Sequence, residues 1–465
     1  MKKVLPLYRA GTPAARKALA RLTGRLAAME QLDTAEYRSR VRKLFGRYLS
    51  PEDVVRRILT DVQKKGDSAL WRYAKRIDGL KIPLDRLRVT DAERRAAYQR
   101  TPDELRDALR LAAQRIAEYQ RWLMPANLKP KASSSGTAGV KCGLAWYALQ
   151  RAGVYVPGGT AAYPSSVLMN VVPAQVAGVE EIAVATPCGP KGELSDGVLC
   201  ACEILGINEI YRMGGAQAIA ALAFGTERVP KVQKIVGPGN LFVMLAKRAV
   251  FGHVDIDMLA GPSEVLIIAD DTARPDWVAA DLLAQAEHDP LAACILVTTS
   301  NDLARAVQQE TRRQLKELPR RDAAKQALCD WGAVLLARSL EEAIALANEL
   351  APEHLEVHIR KPEAVAEKLT CAGALFLGPH AVESLGDYVA GPSHTLPTGG
   401  TAAAFSGVSV HTFLRRSSVL TANAQGLQDL AEATETLAAA EGLEAHRRAV
   451  EIRRWPAPRR GRGSR

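Results

Sequence analysis

No stretch of 18 or more consecutive apolar residues occurs in this 465-residue chain, so a membrane-spanning helix is not expected. The start of the chain also lacks the short charged segment, apolar run and cleavage site of a secretory signal. A soluble protein is expected. Cysteine is scarce: the seven at 142, 188, 200, 202, 294, 329 and 371 are odd in number, scattered and never spaced C-x-x-C. Neither a disulfide framework nor a cysteine zinc knot follows, and a reducing cytoplasm is the setting that fits. Acidic residues are absent from 1–29 and 453–465, which hold seven and six of the 62 Lys and Arg. The remaining 49 basic residues face 51 acidic ones, so the formal charge of +11 belongs to the two ends. A nucleic-acid-binding surface would carry its excess on the folded body; these ends are read as solvated arms, with no nucleic-acid or membrane partner. The N-terminal arm is Arg-rich and acid-poor like a transit peptide but lacks the serine richness of one.

What is present is enough apolar content, 47%, for two or three cored domains. Helix starts are well marked in the first third. Ser50 precedes Pro51, Thr90 stands three before Glu93, and Thr101 three before Glu104, each as an N-cap signal. The last of these helices is expected to run to the Met124–Pro125 boundary. "KPKASSSGTAG" (129–139) reads as a polar connection. From residue 153 the chain alternates short β-branched runs ("GVYV", "EIAVAT", "EIYRM", "KIVG") with helical stretches. A second series ("EVLIIAD", "CILVTTS", "AVLLARS", "LEVHI", "ALFLG") has the same rhythm. This alternation predicts an α/β protein with two related doubly wound domains. From about residue 418 the Ala-, Glu- and Leu-rich sequence is expected to be helical.

Three glycine-rich turns follow strands of the first series: "VYVPGGT" with Gly158 and Gly159, "GGAQAIA" and "VGPGN". Each suits close backbone approach to a ligand at a helix start, yet no G-x-G-x-x-G is present. "LLAQAEHDP" (282–290) ends an apolar helix in Gln285, Glu287, His288 and Asp289. Gln285 and His288, three apart, share one helix face and have the donors for a common ion; the plain alternative is a polar helix end with His288 against the dipole. "APEHLEV" sets Glu353 and His354 between a helix and a strand, a pair suited to proton transfer or to an ordinary solvated loop. The glycine-rich stretch 383–407 is too long for a simple connector and offers Asp387 and His394. "AAAEGLEAHRRAV" places Glu441 and His446 near the end, where a solvated amphipathic helix is the alternative.

Taken together, "YVPGG", "GGAQAIAALAFGTE", "GPGN", "AGPSEVL", "QAEH", "APEHLE", "GDYVAGPSHTLPT" and "ETLAAAEGLEAH" resemble the histidinol dehydrogenase family in order and spacing, over roughly residues 50 to 450. The resemblance implies four-electron oxidation of L-histidinol through L-histidinaldehyde to L-histidine, with two NAD and one Zn²⁺ per subunit. By the same resemblance the metal ligands are Gln285, His288, Asp387 and His446, and the catalytic pair is Glu353 and His354. Substrate contacts fall to Ser263, His394 and Glu441 together with the ligands and His354, and nucleotide contacts to Tyr155, Gln217 and Asn240. The implied fold is two incomplete Rossmann-like domains with small helical terminal segments, in a homodimer whose C-terminal parts are exchanged. The corresponding boundaries are a basic helical arm (1–49), a helical part joined to the second Rossmann-like domain (50–150), the nucleotide domain (151–260) and the metal and catalytic domain (261–404). A C-terminal helical segment (405–452) and a basic tail (453–465) follow. His253, His358, His380 and His411 receive no role and are read as structural. Alternatives are a relative acting on another alcohol such as a sulfonated diol, a zinc hydrolase, or a non-catalytic nucleotide-binding module.

Overall fold

The structure is a computed structural model that describes residues 3–30, 33–132, 139–158 and 163–454. Gly159, most of the 129–139 connection and the basic end beyond Arg454 lie outside the described residues. Strand β1 (Leu7–Arg9) comes early, and β2 (Leu128–Ala132) and β3 (Val140–Ala148) follow the helices of the first third. Strands β4 (Arg151–Tyr155), β5 (Glu181–Thr186), β6 (Glu209–Arg212), β7 (Lys234–Val236) and β8 (Asp255–Ile256) form the first series. The second series is β9 (Glu264–Ala269), β10 (Ala293–Thr298), β11 (Gly332–Leu336), β12 (His354–His358) and β13 (Ala374–Leu377), and β14 (Leu414–Ala422) comes late. The described residues fall into two compact units, Met1–Leu123 with Leu149–Phe413, and Met124–Ala148 with Leu414–Arg465.

The larger unit contains both series. The first is a parallel sheet in the order β6-β5-β4-β7-β8, the second a parallel sheet in the order β1-β11-β10-β9-β12-β13. Runs such as "EIAVAT" and "ACILVT" are apolar almost throughout because both faces of a parallel sheet are covered by crossover helices. On the second sheet Val265, Ile267, Cys294, Leu296 and Val334 pack under the helices Pro275–Ala286 and Asn301–Gln314. Leu266, Ile295, Val297, Leu355 and Val357 face the helix Leu340–Leu350 on the other side. Each such side chain is worth about 1.5 to 3 kcal/mol when fully buried, which locks strand register to the two helix layers.

Helical caps follow the sequence at two of three starts. Ser50 Oγ accepts from Asp53 N, and Thr90 and Glu93 form a reciprocal capping box. Thr101 does not cap the following helix: it ends the helix Asp91–Arg100, its hydroxyl donating back to Ala97 O at 2.9 Å, and Pro102 precedes Asp103–Trp122.

Two expectations about the N-terminal third are corrected. The helical part after residue 50 joins the first sheet, not the second: Val54, Val55, Ile58, Leu59 and Val62 of Pro51–Ile77 pack with the Ala-rich helix Gly215–Phe224 and with Leu241–Val250. Small side chains on Gly215–Phe224 permit that close approach. The kink at Gly66 (φ +51) brings Glu227 against the turn, where it accepts from Asp67 N at 2.8 Å and leaves no room for a Cβ. Residues 3–30 are likewise no solvated arm. Strand β1 pairs in parallel with β11, and Leu5 and Leu22 are buried on opposite faces of the second sheet.

The smaller unit holds β14 paired antiparallel along its length with β3, and β3 with β2, followed by the helices Ala424–Ala440 and Glu444–Arg454. The sequence had placed residues 418–422 in a helix and the whole 405–452 segment as helical. Alternation of Arg415, Ser417 and Val419 with their neighbours suits an extended strand, and the helix begins only after the Asn423 cap.

Candidate active site at two sheet edges

Tyr155 closes β4, Gln217 lies in the first turn of the helix after β6, and Asn240 caps the helix after β7, so all three stand at the carboxyl edge of the first sheet. There the strand order reverses between β4 and β7, the place where open α/β sheets receive ligands. Tyr155 Oη accepts from Gly215 N at 3.1 Å, and Gln217 Nε2 donates to Asp78 Oδ2 at 2.9 Å. Asn240 Oδ1 is taken by the N–H groups of Phe242 and Val243, which leaves its Nδ2 free to donate. Gln217 and Asn240 line a cavity of about 360 Å³ whose opposite wall is the helix Ala35–Phe45, with Tyr37, Arg40 and Phe45.

The remaining candidates in the larger unit gather at the amino edge of the second sheet. Ser263 and Glu264 open β9, Glu353 and His354 open β12, and Gln285 and His288 stand at the end of Pro275–Ala286. His288 N donates to Gln285 O at 3.2 Å, so the last turn tightens past the helix and keeps the two on one side. Ala351, in the left-handed region (φ +43), ends Leu340–Leu350 sharply and turns the chain into Pro352 and Glu353. The long segment expected to be structureless is helical over its first eight residues, and its wide final turn, Gly386–Ala390, carries Asp387.

His354 is the hub. Its Nδ1 lies 3.3 Å from Glu264 O, which can only accept, so Nδ1 carries the proton and Nε2 faces Asp387 Oδ1 at 3.3 Å. Glu353 Oε2 is 3.7 Å and Glu383 Oε1 3.9 Å from Nδ1. Glu353 Oε2 also accepts from Glu264 N at 2.9 Å. With its amide nitrogen toward Glu383, Gln285 donates to both carboxylate oxygens at 2.8 and 3.0 Å, and its carbonyl oxygen turns to the opposite side. His394 donates through Nδ1 to Asp387 O at 3.0 Å and accepts from Ser166 Oγ at 3.1 Å.

Burial and mutual charge divide these groups. Burial pushes Glu353 up to about 7 and Glu383 well above the carboxylate range, while hydrogen bonding and charge from His354 hold Asp387 below it despite its burial. Burial lowers His288 and His394, keeping both imidazoles neutral; the surrounding carboxylates raise His354 in spite of its burial. His288 and Tyr388 border a second cavity, of about 430 Å³, under the helix Asp103–Trp122.

Several residues here went unmarked in the sequence. Arg25, 2% exposed, donates to Glu264 Oε2 and Pro262 O at 2.8 Å and to Leu291 O and Ser263 O at 3.2 and 3.3 Å, clamping the start of β9. Glu383, four residues before Asp387 on a helical turn, was a legible partner of it. Glu356 and His358 alternate with Leu355 and Val357 along β12, and with Asp281 they form a buried polar group behind His354; Glu356 Oε1 accepts from Glu383 N at 2.8 Å. His358 thus belongs to a polar cluster. Among the described residues the tightest donor groups for an ion are this one and His354, Glu383 and Asp387. Glu441 and His446 lie in the smaller unit, exposed, at the turn between its two helices and just after it.

A family model described as histidinol dehydrogenase matches residues 47–454. The chain belongs to the histidinol dehydrogenase family. It is therefore an enzyme and an oxidoreductase. The histidinol dehydrogenase of Moorella thermoacetica is 52% identical over 417 residues, 89% of this chain and 97% of that one. That of a Synechococcus strain is 52% identical over 402 residues, 86% and 92% of the two chains. The crystal structure of histidinol dehydrogenase from Elizabethkingia anophelis matches with a TM-score of 0.86 at 35% identity, covering 97% of this chain and 98% of that one. Among the described residues, no helix is long and apolar enough to cross a membrane.

Proposed function

We propose that the chain oxidises L-histidinol through L-histidinaldehyde to L-histidine, the last steps of histidine biosynthesis, with NAD as the hydride acceptor and one zinc ion per subunit. The observation that carries this reading is the meeting of Gln285, His288, His354, Asp387 and His394 beside Glu353 at one sheet edge, in a chain of this family. A neutral His288, an ionised Asp387 and the carbonyl oxygen of Gln285 are donors of the kind zinc accepts, and they fit it. His446 as the fourth donor and Glu441 as a substrate contact enter through the sequence resemblance alone. When bound, zinc would hold the imidazole and amine of the substrate in register. NAD, when bound near Tyr155, Gln217 and Asn240, would take the hydride.

The proton chemistry belongs to the chain. The neighbouring carboxylates favour a proton on both ring nitrogens of His354. With Nδ1–H committed to Glu264 O, it is Nε2, facing Asp387, that must first release its proton before it can take the hydroxyl proton as hydride leaves the carbinol carbon. The aldehyde must be hydrated before a second hydride can leave. Glu353 has one oxygen held by Glu264 N–H and the other free to take a proton from water as its oxygen adds to the carbonyl carbon. The proton on Glu353 then passes to the former carbonyl oxygen, which completes the hydrate and frees the base. As the hydrate's hydride leaves, which a second NAD would accept when bound, Glu353 takes one hydroxyl proton, and the acid loses its last proton to solvent to leave the carboxylate. Ser263 and His394 sit within this edge as substrate contacts. A homodimer is part of the proposal, supported by Leu420, Leu437 and Ile452, which are 67%, 66% and 74% exposed on the smaller unit. The few, scattered cysteines support a cytoplasmic setting.

The test is NADH yield from L-histidinol with zinc-loaded protein. Two NADH per histidinol are expected. Glu353→Gln is expected to lower the second step by roughly 10² to 10⁴ and leave the first closer to intact. No NADH from histidinol would overturn the reading.

A further inference from the structure

Gln217 is 1% exposed, and its two polar ends meet different fates. Its Nε2 donates to Asp78 Oδ2 at 2.9 Å, whereas its Oε1 is buried with no partner in the protein. That oxygen lies against Gly215 (φ +62), where a Cβ would stand 3.1 Å from it, at the wall of the 360 Å³ cavity shared with Asn240. A carboxamide can turn end for end, but an ionised carboxylate only accepts. Asp78 therefore decides which end of Gln217 faces its carboxylate and which is left for the cavity.

We propose that Asp78 is a specificity-determining positioning residue: by holding Gln217 Nε2 it presents an acceptor to the dinucleotide, so the cavity takes a hydroxyl or N–H donor there and refuses a phosphate monoester. The inference rests on the reading of this cavity as the dinucleotide site. A buried acceptor left without a donor is costly, so a ligand that supplies one gains while an anion meets both the oxygen and the Asp78 charge. Arg40, from the helix Ala35–Phe45, is a cation whose charge favours the ionised form of Asp78, and its guanidinium donates to Ile77 O at 3.4 Å. Tyr155 and Cys188 are titratable groups that also feel the Asp78 charge. Burial raises Asp78 to about 6, with Gln217 and Arg40 pulling the other way. Above that pH it is ionised and Gln217 is fixed; below it, a protonated Asp78 can donate and Gln217 is free to turn.

The experiment measures kcat and KM for NAD and NADP, at saturating histidinol and pH 8, in the unchanged chain, Asp78→Asn and Asp78→Glu. Asp78→Asn is expected to raise KM for NAD about tenfold with kcat within about twofold, and to narrow the preference for NAD over NADP by a similar factor. Asp78→Glu, which keeps a group that can only accept, is expected to restore most of that preference. KM for NAD in the unchanged chain is expected to rise as pH falls through about 6, and this rise is expected to vanish in Asp78→Asn. An unchanged NAD:NADP ratio in Asp78→Asn, or a loss confined to kcat, would overturn the inference while leaving NAD as cofactor. Absence of NADH from the unchanged chain would overturn the cofactor reading and this inference with it.

Discussion

In the first sheet the polar side chains stand at the carboxyl ends of the strands, where the helices Gly215–Phe224 and Leu241–Val250 begin. In the second they stand at the amino ends, where Pro275–Ala286 and Leu340–Leu350 finish. The two sheets have the same parallel logic and the same reversal of strand order, between β4 and β7 in one and between β9 and β12 in the other. What differs is the sign of the helix ends. A helix start carries unpaired N–H groups and partial positive charge, and a helix end carries carbonyls and partial negative charge. The edge with helix starts suits the phosphates of a dinucleotide. The edge with helix ends suits a metal cation and an ammonium group. On the proposed assignment, the carboxyl-edge rule for open sheets is a rule about anions, and its mirror would serve cations.

The sharpest way to break this contrast is to remove what fixes the amino edge. Arg25→Met takes the guanidinium from the buried Glu264 carboxylate and from three carbonyls, and is expected to cost about 3 to 5 kcal/mol in urea unfolding. A solvated arm would give no change. A smaller effect comes from pH. Glu353 sits near 7 because of its burial and is the proposed base for hydration, a role in which it must be ionised to act. Histidinaldehyde oxidation is therefore expected to fall about tenfold per pH unit below 7, with the alcohol step followed separately by single-turnover NADH formation. A flat second step would remove Glu353 from that role. The smallest effect is at the other edge. Asn240→Ala loses the cap for two N–H groups and is expected to cost about 1 kcal/mol, read by thermal or urea unfolding.

Much of this arrangement was legible in the chain because it is local. Strand runs such as "EVLIIAD", the Ser50 and Thr90 caps and the end of "LLAQAEHDP" each depend on neighbours within a few residues. The misses depend on partners far away. Strand β1 is three residues long in a basic stretch and exists because β11 offers it an edge some 327 positions later. Arg25 has the sequence surroundings of a surface arginine, and its partner Glu264 is 239 residues on. "HLEVH" reads as a half-exposed strand, yet both its faces are covered, so His354, Glu356 and His358 form a buried polar file. The motif residues Glu353, His354, Asp387 and His394 were found from type and spacing, whereas Glu383 and Asp78 were not: Glu383 could have been paired with Asp387 by its spacing, but Asp78, at a helix end, gives no local sign that it faces Gln217.

The most direct test of the two-edge account is a paired measurement on His288→Ala and Asn240→Ala, each assayed for bound zinc by elemental analysis and for NADH binding by fluorescence titration. The account predicts that His288→Ala loses most of its zinc and keeps NADH binding within about twofold, and that Asn240→Ala keeps its zinc and binds NADH several-fold more weakly. Loss of both properties in either variant, or of the opposite property in each, would contradict it.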